Sequence, residues 1–212
     1  SVVKCAILVV DASKGIEVGT ERSWEELRKR NIPTIIFINK MDKENIKYDD
    51  LIEELKEKFG KRVAPFSYPL GKQDSFDGVA LAVEKKARVY QGGVCVDAEI
   101  YPDKMDKVEE LYDYICEAVA ETSEELMDKF FEGEPFTQEE VSTALRASVH
   151  DRSLIPLLIG DPSTNYGAQA LMIAINKYFP APTDRIGVQF SGVNTKADEV
   201  YTYGYARYSV IG

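Results

Sequence analysis

Apolar positions along the chain change rhythm several times, and each rhythm names an element. Residues 2–10 are a short, β-branched, nearly unbroken apolar run followed by Asp11 and Gly15; residues 34–38 (Thr-Ile-Ile-Phe-Ile) are another. Runs this short and this continuously apolar predict strands buried on both faces, as in parallel sheets. Between them Trp24, Leu27 and Arg28 recur at helical spacing across 20–30, and Asn31 and Pro33 stop the pattern. Strand, helix and strand in so short a stretch make a βαβ unit, with a right-handed crossover and a parallel sheet. A second helix is predicted over 49–59, capped by Asp49 or Asp50. Leu51, Ile52, Leu55 and Phe59 form its apolar face and Gly60 ends it.

The texture changes near Lys61. Residues 63–70 and 79–90 read as short strands between Gly and Asp turns, Gly92-Gly93 as a turn, and 94–100 as one more strand. Residues 103–132 are a long acidic helical stretch, with Val108, Leu111, Tyr112, Ile115 and Val119 on one stripe. Leu126, Met127 and Phe130 follow a break near Thr122-Ser123. Thr137 and Glu140 form a capping box that starts a helix through Val141, Leu145 and Val149. Residues 155–159 are a third buried strand, and 167–179 an amphipathic helix with Leu171, Ile175 and Phe179 inward, closed by Pro180 and Pro182. In the tail, Tyr201, Tyr203 and Tyr205 alternate as in a strand. It is either the start of a further β domain or a partner for an open sheet edge, which invites pairing between copies. The predicted class is α/β: a parallel sheet with helices on both faces, formed by 1–60 and 152–184. It carries an α+β insertion over 61–151 and a tail over 185–212.

Composition narrows the function. A chain of 212 residues with 44% hydrophobic and 29% charged residues buries a core without disulfides or metal. A net charge of −10 argues against direct DNA binding through bulk electrostatics. No apolar run approaches the roughly 20 residues of a membrane-spanning helix, and no secretory signal is recognisable, so no membrane partner is expected. Cys5, Cys95 and Cys116 are odd in number and widely spaced. They read as buried, inert, reduced thiols of a cytoplasmic protein. His150 is the only histidine and reads as a surface or helix-end residue, so no mechanism needing two is available. Asp97, Glu99 and Asp103 lack metal-ligand spacing. An apolar run this close to a first residue that is Ser leads us to expect a piece of a longer chain.

The chemistry is expected after the buried strands, because open parallel sheets bind ligands beyond the carboxyl ends of their strands. After the second strand come Asn39, Lys40, Met41 and Asp42. A carboxylate only accepts hydrogen bonds and can take two parallel donors. Guanine offers two side by side, its ring N–H and its exocyclic amine; adenine offers no such edge. Asn39 can donate to the base or brace the loop, and the alkyl stem of Lys40 can cover the base face. The plainer alternative is a polar turn with a capping Asp in a generic α/β ligand-binding domain.

These residues, with others in order, resemble bacterial elongation factor G among the translational GTPases. Leu8-Val9-Val10-Asp11-Ala12 with Gly15, Glu17, Thr20-Glu21-Arg22 and Trp24 matches the segment before that family's guanine motif, and Phe37 to Lys43 matches the motif itself. Pro69-Leu70-Gly71 and Phe76-Asp77-Gly78-Val79 resemble the entrance to its inserted subdomain. Ala118-Val119-Ala120-Glu121, Glu124-Glu125-Leu126-Met127 and Phe131-Glu132-Gly133-Glu134 resemble its acidic helices. The resemblance covers about residues 2–184. It implies a partial P-loop-NTPase-like sheet, GTP or GDP with Mg as the parent's cofactors, and the ribosome and its stalk protein as partners.

Three departures limit what carries over. No Gly-x-x-x-x-Gly-Lys-Ser/Thr loop occurs, and Gly71-Lys72 reads as a turn. No Asp-x-Pro-Gly segment occurs, and His150 lies away from the place of the family's catalytic His. Where the family carries Gly-Ser-Ala after the third strand, this chain has Gly160-Asp161-Pro162-Ser163, although Asn165, Gly167 and Gln169 keep the register. Pro162 has no N–H for the guanine oxygen, and Asp161 would bring negative charge near it, so that half of the pocket is either rebuilt, through Ser163, or weakened. The resemblance implies base-binding residues Asn39, Lys40, Asp42, Gly160, Asp161 and Ser163, with no catalytic and no metal residue. The chain alone is expected to bind no cofactor tightly and to hydrolyse no GTP. The alternative function is a nucleotide-independent docking module for the stalk protein or another ribosomal partner.

Overall fold

The computed structural model describes residues 3–72, 75–91, 94–181, 189–194 and 199–204. The chain divides into two units, Ser1–Phe179 and Pro180–Gly212. The first is built on a parallel sheet of β1 (Ala6–Asp11), β2 (Thr34–Asn39), β8 (Ile155–Ile159) and β3 (Val63–Pro65), in the order β1-β2-β8-β3. Every residue of β8, and of β2 up to Ile38, is buried, which is why both read as unbroken apolar runs. Helices α1 (Val18–Lys29), α2 (Tyr48–Phe59) and α6 (Ala168–Tyr178) flank the sheet. Trp24 of α1 is core, as its place on the inner stripe predicts, and stacks on Phe59 of α2 with ring centroids 4.4 Å apart.

Several expectations shift by a strand or a residue. The first strand starts at Ala6 and is not covered on both faces: Leu8 and Val10 are buried, whereas Ile7 is 38% and Val9 55% exposed. Among the described residues β1 pairs with β2 only, and of its two faces the one carrying Leu8 and Val10 is the covered one. Helix α2 begins one residue early, at Tyr48 after Lys47. Asp49 and Asp50 therefore lie in the first turn, where they favour the positive end of the helix, and do not cap it. In α6 the buried face holds Ala170, Ala174 and Tyr178, with Phe179 just beyond; Leu171 and Ile175 are half-buried.

The apolar run 63–70 is two strands. Val63–Pro65 joins the parallel sheet, and Phe66 and Ser67 bond across to β8: Phe66 N–H donates to Leu157 O at 2.8 Å and Ile159 N–H to Ser67 Oγ at 3.0 Å. The run 79–90 is likewise cut by a turn at Ala82–Lys85, where Lys85 takes a positive φ of 49°. The second sheet is an antiparallel meander of β4 (Ser67–Lys72), β5 (Ser75–Leu81), β6 (Lys86–Gln91) and β7 (Val94–Ala98). Its first strand begins at Ser67. Helices α3 (Pro102–Ala120), α4 (Glu124–Glu132) and α5 (Gln138–Asp151) follow. The break falls at Glu121–Ser123, and the Thr137–Glu140 capping box is formed in both directions. His150 lies in the last turn of α5. Cys116 is buried, and burial pushes its thiol up; Cys5 and Cys95 are only half-buried.

In the second unit β9 (Gln189–Asn194) and β10 (Glu199–Gly204) pair antiparallel with each other. Tyr201 and Tyr203 lie on β10; Tyr205, Pro182 and the Gly92-Gly93 turn lie outside the described residues.

Candidate functional site

The parallel register sets Asp11 opposite Asn39 and Ile38 opposite Ile159, so the carboxyl ends of β1, β2 and β8 stop in a row. Three polar segments leave from that row. Backbone bonds tie them: Ala12 N–H to Asn39 O at 2.9 Å, Gly160 N–H to Ile38 O at 2.9 Å, and Met41 N–H to Gly160 O at 3.3 Å.

Asn39 braces its own loop. Its Oδ1 accepts from the Lys40 N–H at 2.8 Å, and Lys40 sits in the left-handed region with φ 65°. Met41 is buried and anchors the loop from below. Lys40 reaches sideways, and its Nζ donates to Asp11 Oδ2 at 2.6 Å. Asp11 Oδ1 accepts from the N–H and the Oγ of Ser13. The Lys40 ammonium, then the Ser13 hydroxyl, hold the Asp11 carboxyl down at about 2, and the same contact raises the Lys40 ammonium. Asp42 is different. Its nearest cation is Lys43 at 3.8 Å, its side chain is 35% exposed, and among the described residues no donor is shown bonded to its carboxylate.

The Asp11 pair makes a pH prediction. A carboxylate with a depressed pKa stabilises the fold above its ordinary value and loses that contribution as pH falls through the folded value. The pair should therefore survive acidification below 3.8 and open only towards about 2. A carbon-13 titration of the Asp11 carboxyl is expected to show its midpoint near 2, and Lys40→Met should move it part of the way back to 3.8. A midpoint at the ordinary value in the native chain refutes the pairing.

The loop after β8 is closed on itself. Asp161 is 3% exposed, and its carboxylate accepts from Ser163 N–H (3.1 Å), Ser163 Oγ (2.6 Å) and Thr164 Oγ1 (2.8 Å). Burial pushes this carboxyl up, but these donors outweigh it and its pKa lies below the ordinary value. Asp161 N–H donates to Tyr166 O, Thr164 N–H to Asp161 O and Asn165 N–H to Pro162 O. Every N–H from Gly160 to Asn165 is thus committed within the protein, and Pro162 has none. Gly160 and Gly167 pin the loop: a Cβ on Gly160 would lie 2.4 Å from Tyr166 O, and Gly167 takes φ +76° with Ile159 O only 2.1 Å from its Cβ position. The antiparallel sheet buttresses it, with Tyr166 packed against Phe76 and Tyr90 at 5.5 and 4.9 Å between ring centroids.

The fold therefore brings Asn39, Lys40, Asp42 and Gly160 to one mouth, while Asp161 and Ser163 bond to each other inside their loop. The negative charge expected from Asp161 is spent on its neighbours. Sequence reasoning missed Asp11 as the partner of Lys40 and Tyr166 as the brace. The signal for Asp11 was present: an acidic residue at the carboxyl end of the strand next to the motif strand.

A parallel sheet flanked by helices, with its polar loops gathered at the carboxyl strand ends, is a GTPase-like α/β domain. The chain belongs to the family described as the elongation factor Tu GTP binding domain, whose family model matches residues 1–181. It is also similar to a crystal structure of a protein from Thermus thermophilus, at 30% identity and a TM-score of 0.79. The match covers 87% of this chain and 28% of that one, so the chain spans under a third of the length of that relative.

Proposed function

We propose that this chain is the base-reading part, with the inserted subdomain, of the GTP-binding domain of an elongation-factor-G-like translation GTPase. The whole protein would work on the ribosome, in the cytoplasm, with GTP hydrolysis driving translocation. The uncommitted Asp42 carboxylate carries this reading. It stands at the strand-end mouth beside two residues, Asn39 and Lys40, whose positions are fixed by bonds of their own. Asp42 would accept the ring N–H and exocyclic amine of guanine, the Lys40 stem would cover the base, and Asn39 Nδ2, still free to donate, would meet an acceptor on the base or a neighbouring loop.

The residues present fit the base but not the rest of the nucleotide. The sequence holds no phosphate-cradling Gly-Lys-Ser/Thr loop. Among the described residues no group of three His, Cys, Asp or Glu could hold a metal. Magnesium and the phosphoryl chemistry would fall to other parts of the parent protein. Among the described residues no helix is long and apolar enough to cross a membrane.

A second reading rests on α4, where Phe131 is 79% exposed beside Phe130, among Glu124, Glu125, Asp128 and Glu132. It makes the insertion a docking module for a ribosomal stalk protein that needs no nucleotide.

The test is a titration of this chain with GDP and with ADP, followed by amide chemical shifts. GDP is expected to move residues 39–42 and 160–166 with a dissociation constant near 1 mM, about −4 kcal/mol, and ADP to leave them unmoved. Equal responses to both bases refute base reading. No response to either, with stalk protein retained in the absence of nucleotide, favours the docking module. Incubation with GTP is expected to release no phosphate.

A further inference from the structure

The opposite end of the parallel sheet carries a second constellation that the base-reading site does not use. Three arginines line one cavity of about 500 Å³: Arg28 near the end of α1, Arg62 directly before β3, and Arg152 directly after α5. Two other arginines pair with carboxylates, Arg30 with Glu26 and Arg88 with Glu84 and Asp97. These three are held by neutral acceptors. Arg28 Nη2 donates to Ile32 O and Thr34 Oγ1, both at 2.7 Å. Arg62 Nη1 donates to Arg152 O at 3.3 Å, and Arg152 Nη1 to His150 O at 3.4 Å. Asp151 also lines the cavity, yet its Oδ1 accepts from Ser153 N–H, and among the described residues no ion pair joins it to any of the three.

Among the described residues none of the three guanidinium groups is shown in an ion pair, and the Asp151 carboxylate that shares their cavity is bonded to Ser153 N–H. Arg28 lies over the Trp24 ring at 4.5 Å, and its Nε is buried with no hydrogen-bond partner. Burial and then the charges of Arg62 and Arg152 push the Arg28 guanidinium below its ordinary pKa. The carboxyl ends of α1, α2 and α5 point negative partial charge at this region. That explains how the arginines are tolerated, but it leaves most of their donors unused: each guanidinium has five N–H groups.

We propose that Arg28, Arg62 and Arg152 form a binding site for a phosphate dianion, either free phosphate or the monoester end of a small phosphorylated ligand. Planar guanidinium forks match the oxygens of a tetrahedral dianion. The cavity exceeds a bare phosphate, so it admits the monoester as well. A nucleic-acid backbone is disfavoured by the net charge of −10.

The experiment is a titration of the full chain with inorganic phosphate and with methyl phosphate. It reads the arginine Nε–Hε resonances by NMR, against sodium chloride at matched ionic strength. Saturating shifts at all three arginines are expected with phosphate and not with chloride. Saturation by both phosphates assigns the site to the phosphoryl group; saturation by inorganic phosphate alone narrows it to the free ion. Arg62 is exposed, so Arg62→Gln should fold with unchanged Trp24 fluorescence and weaken phosphate binding about 10-fold or more. Arg152→Gln should do the same, and neither should alter the GDP response at Asp42. Linear shifts equal to those with chloride, or an Arg62→Gln chain that binds phosphate as well as the native one, overturn the proposal and leave the arginines as caps on helix-end carbonyls.

Discussion

The Asp42→Asn chain is expected to lose its response to GDP and to gain one to xanthosine diphosphate. A carboxylate offers two acceptors to guanine's ring N–H and amine. An amide replaces one acceptor with a donor, which faces the guanine amine and leaves both unpaired. Xanthine carries an oxygen where guanine has the amine, so the amide matches it donor to acceptor. Hydrogen bonds to a charged group are worth about 1.5–3 kcal/mol, and stranding a buried partner costs about as much. The ratio of GDP to xanthosine diphosphate affinity should therefore invert by a factor of at least about 10². Folding should not change. Among the described residues the ion pair shown for Asp42 is with Lys43 at 3.8 Å, and substitutions of that kind stay within about 0.5 kcal/mol. Amide-shift titrations of both nucleotides on both chains decide the matter, with thermal unfolding as the control. A variant that binds GDP as the native chain does would make the Asn39–Asp42 loop a turn and nothing more.

That loop was legible because its chemistry is local. Asn39, Lys40 and Asp42 follow an apolar run that could only be a buried strand, and parallel sheets place their ligands at that end. The central strands β2 and β8 and the long helices were legible for the same reason: their period is set by burial on the element itself. What went unread was set by neighbours. Val9 looks like a core residue, but it stands on the face of β1 that no packing covers and is 55% exposed. The run 63–70 looks like one strand, but Val63–Pro65 is claimed by β8 and Ser67–Lys72 by β5. Asp161 looked like a charge aimed at the ligand, because nothing in a linear reading shows that Ser163 and Thr164 fold back on it. The bond between Lys40 and Asp11 spans 29 positions and exists only because β1 and β2 lie in register.

Pro162→Ala is expected to tighten GDP binding while loosening the fold. Between Gly160 and Asn165 every backbone N–H is already bonded within the protein, and residue 162 is the one position with no N–H at all. On the proposed reading, that position stands where a loop N–H would meet the 6-oxygen of guanine. Alanine returns the donor and leaves the Asp161 carboxylate with its Ser163 and Thr164 partners. A neutral hydrogen bond contributes about 0.5–1.5 kcal/mol, so affinity should rise about 3- to 10-fold. Removing a loop proline enlarges the unfolded ensemble and costs about 0.4–1 kcal/mol. Binding and stability thus move in opposite directions, which no general disturbance of the loop would produce. The 6-thio analogue of GDP sharpens the test, because it keeps the N–H and amine that Asp42 reads and replaces only the 6-oxygen. The native chain, reading one edge of the base, should bind GDP and the analogue about equally. The Pro162→Ala chain should prefer GDP by about the factor its affinity gained. A native chain that already discriminates against the analogue would show that the 6-oxygen has a donor elsewhere, and Pro162 would then be neutral to recognition.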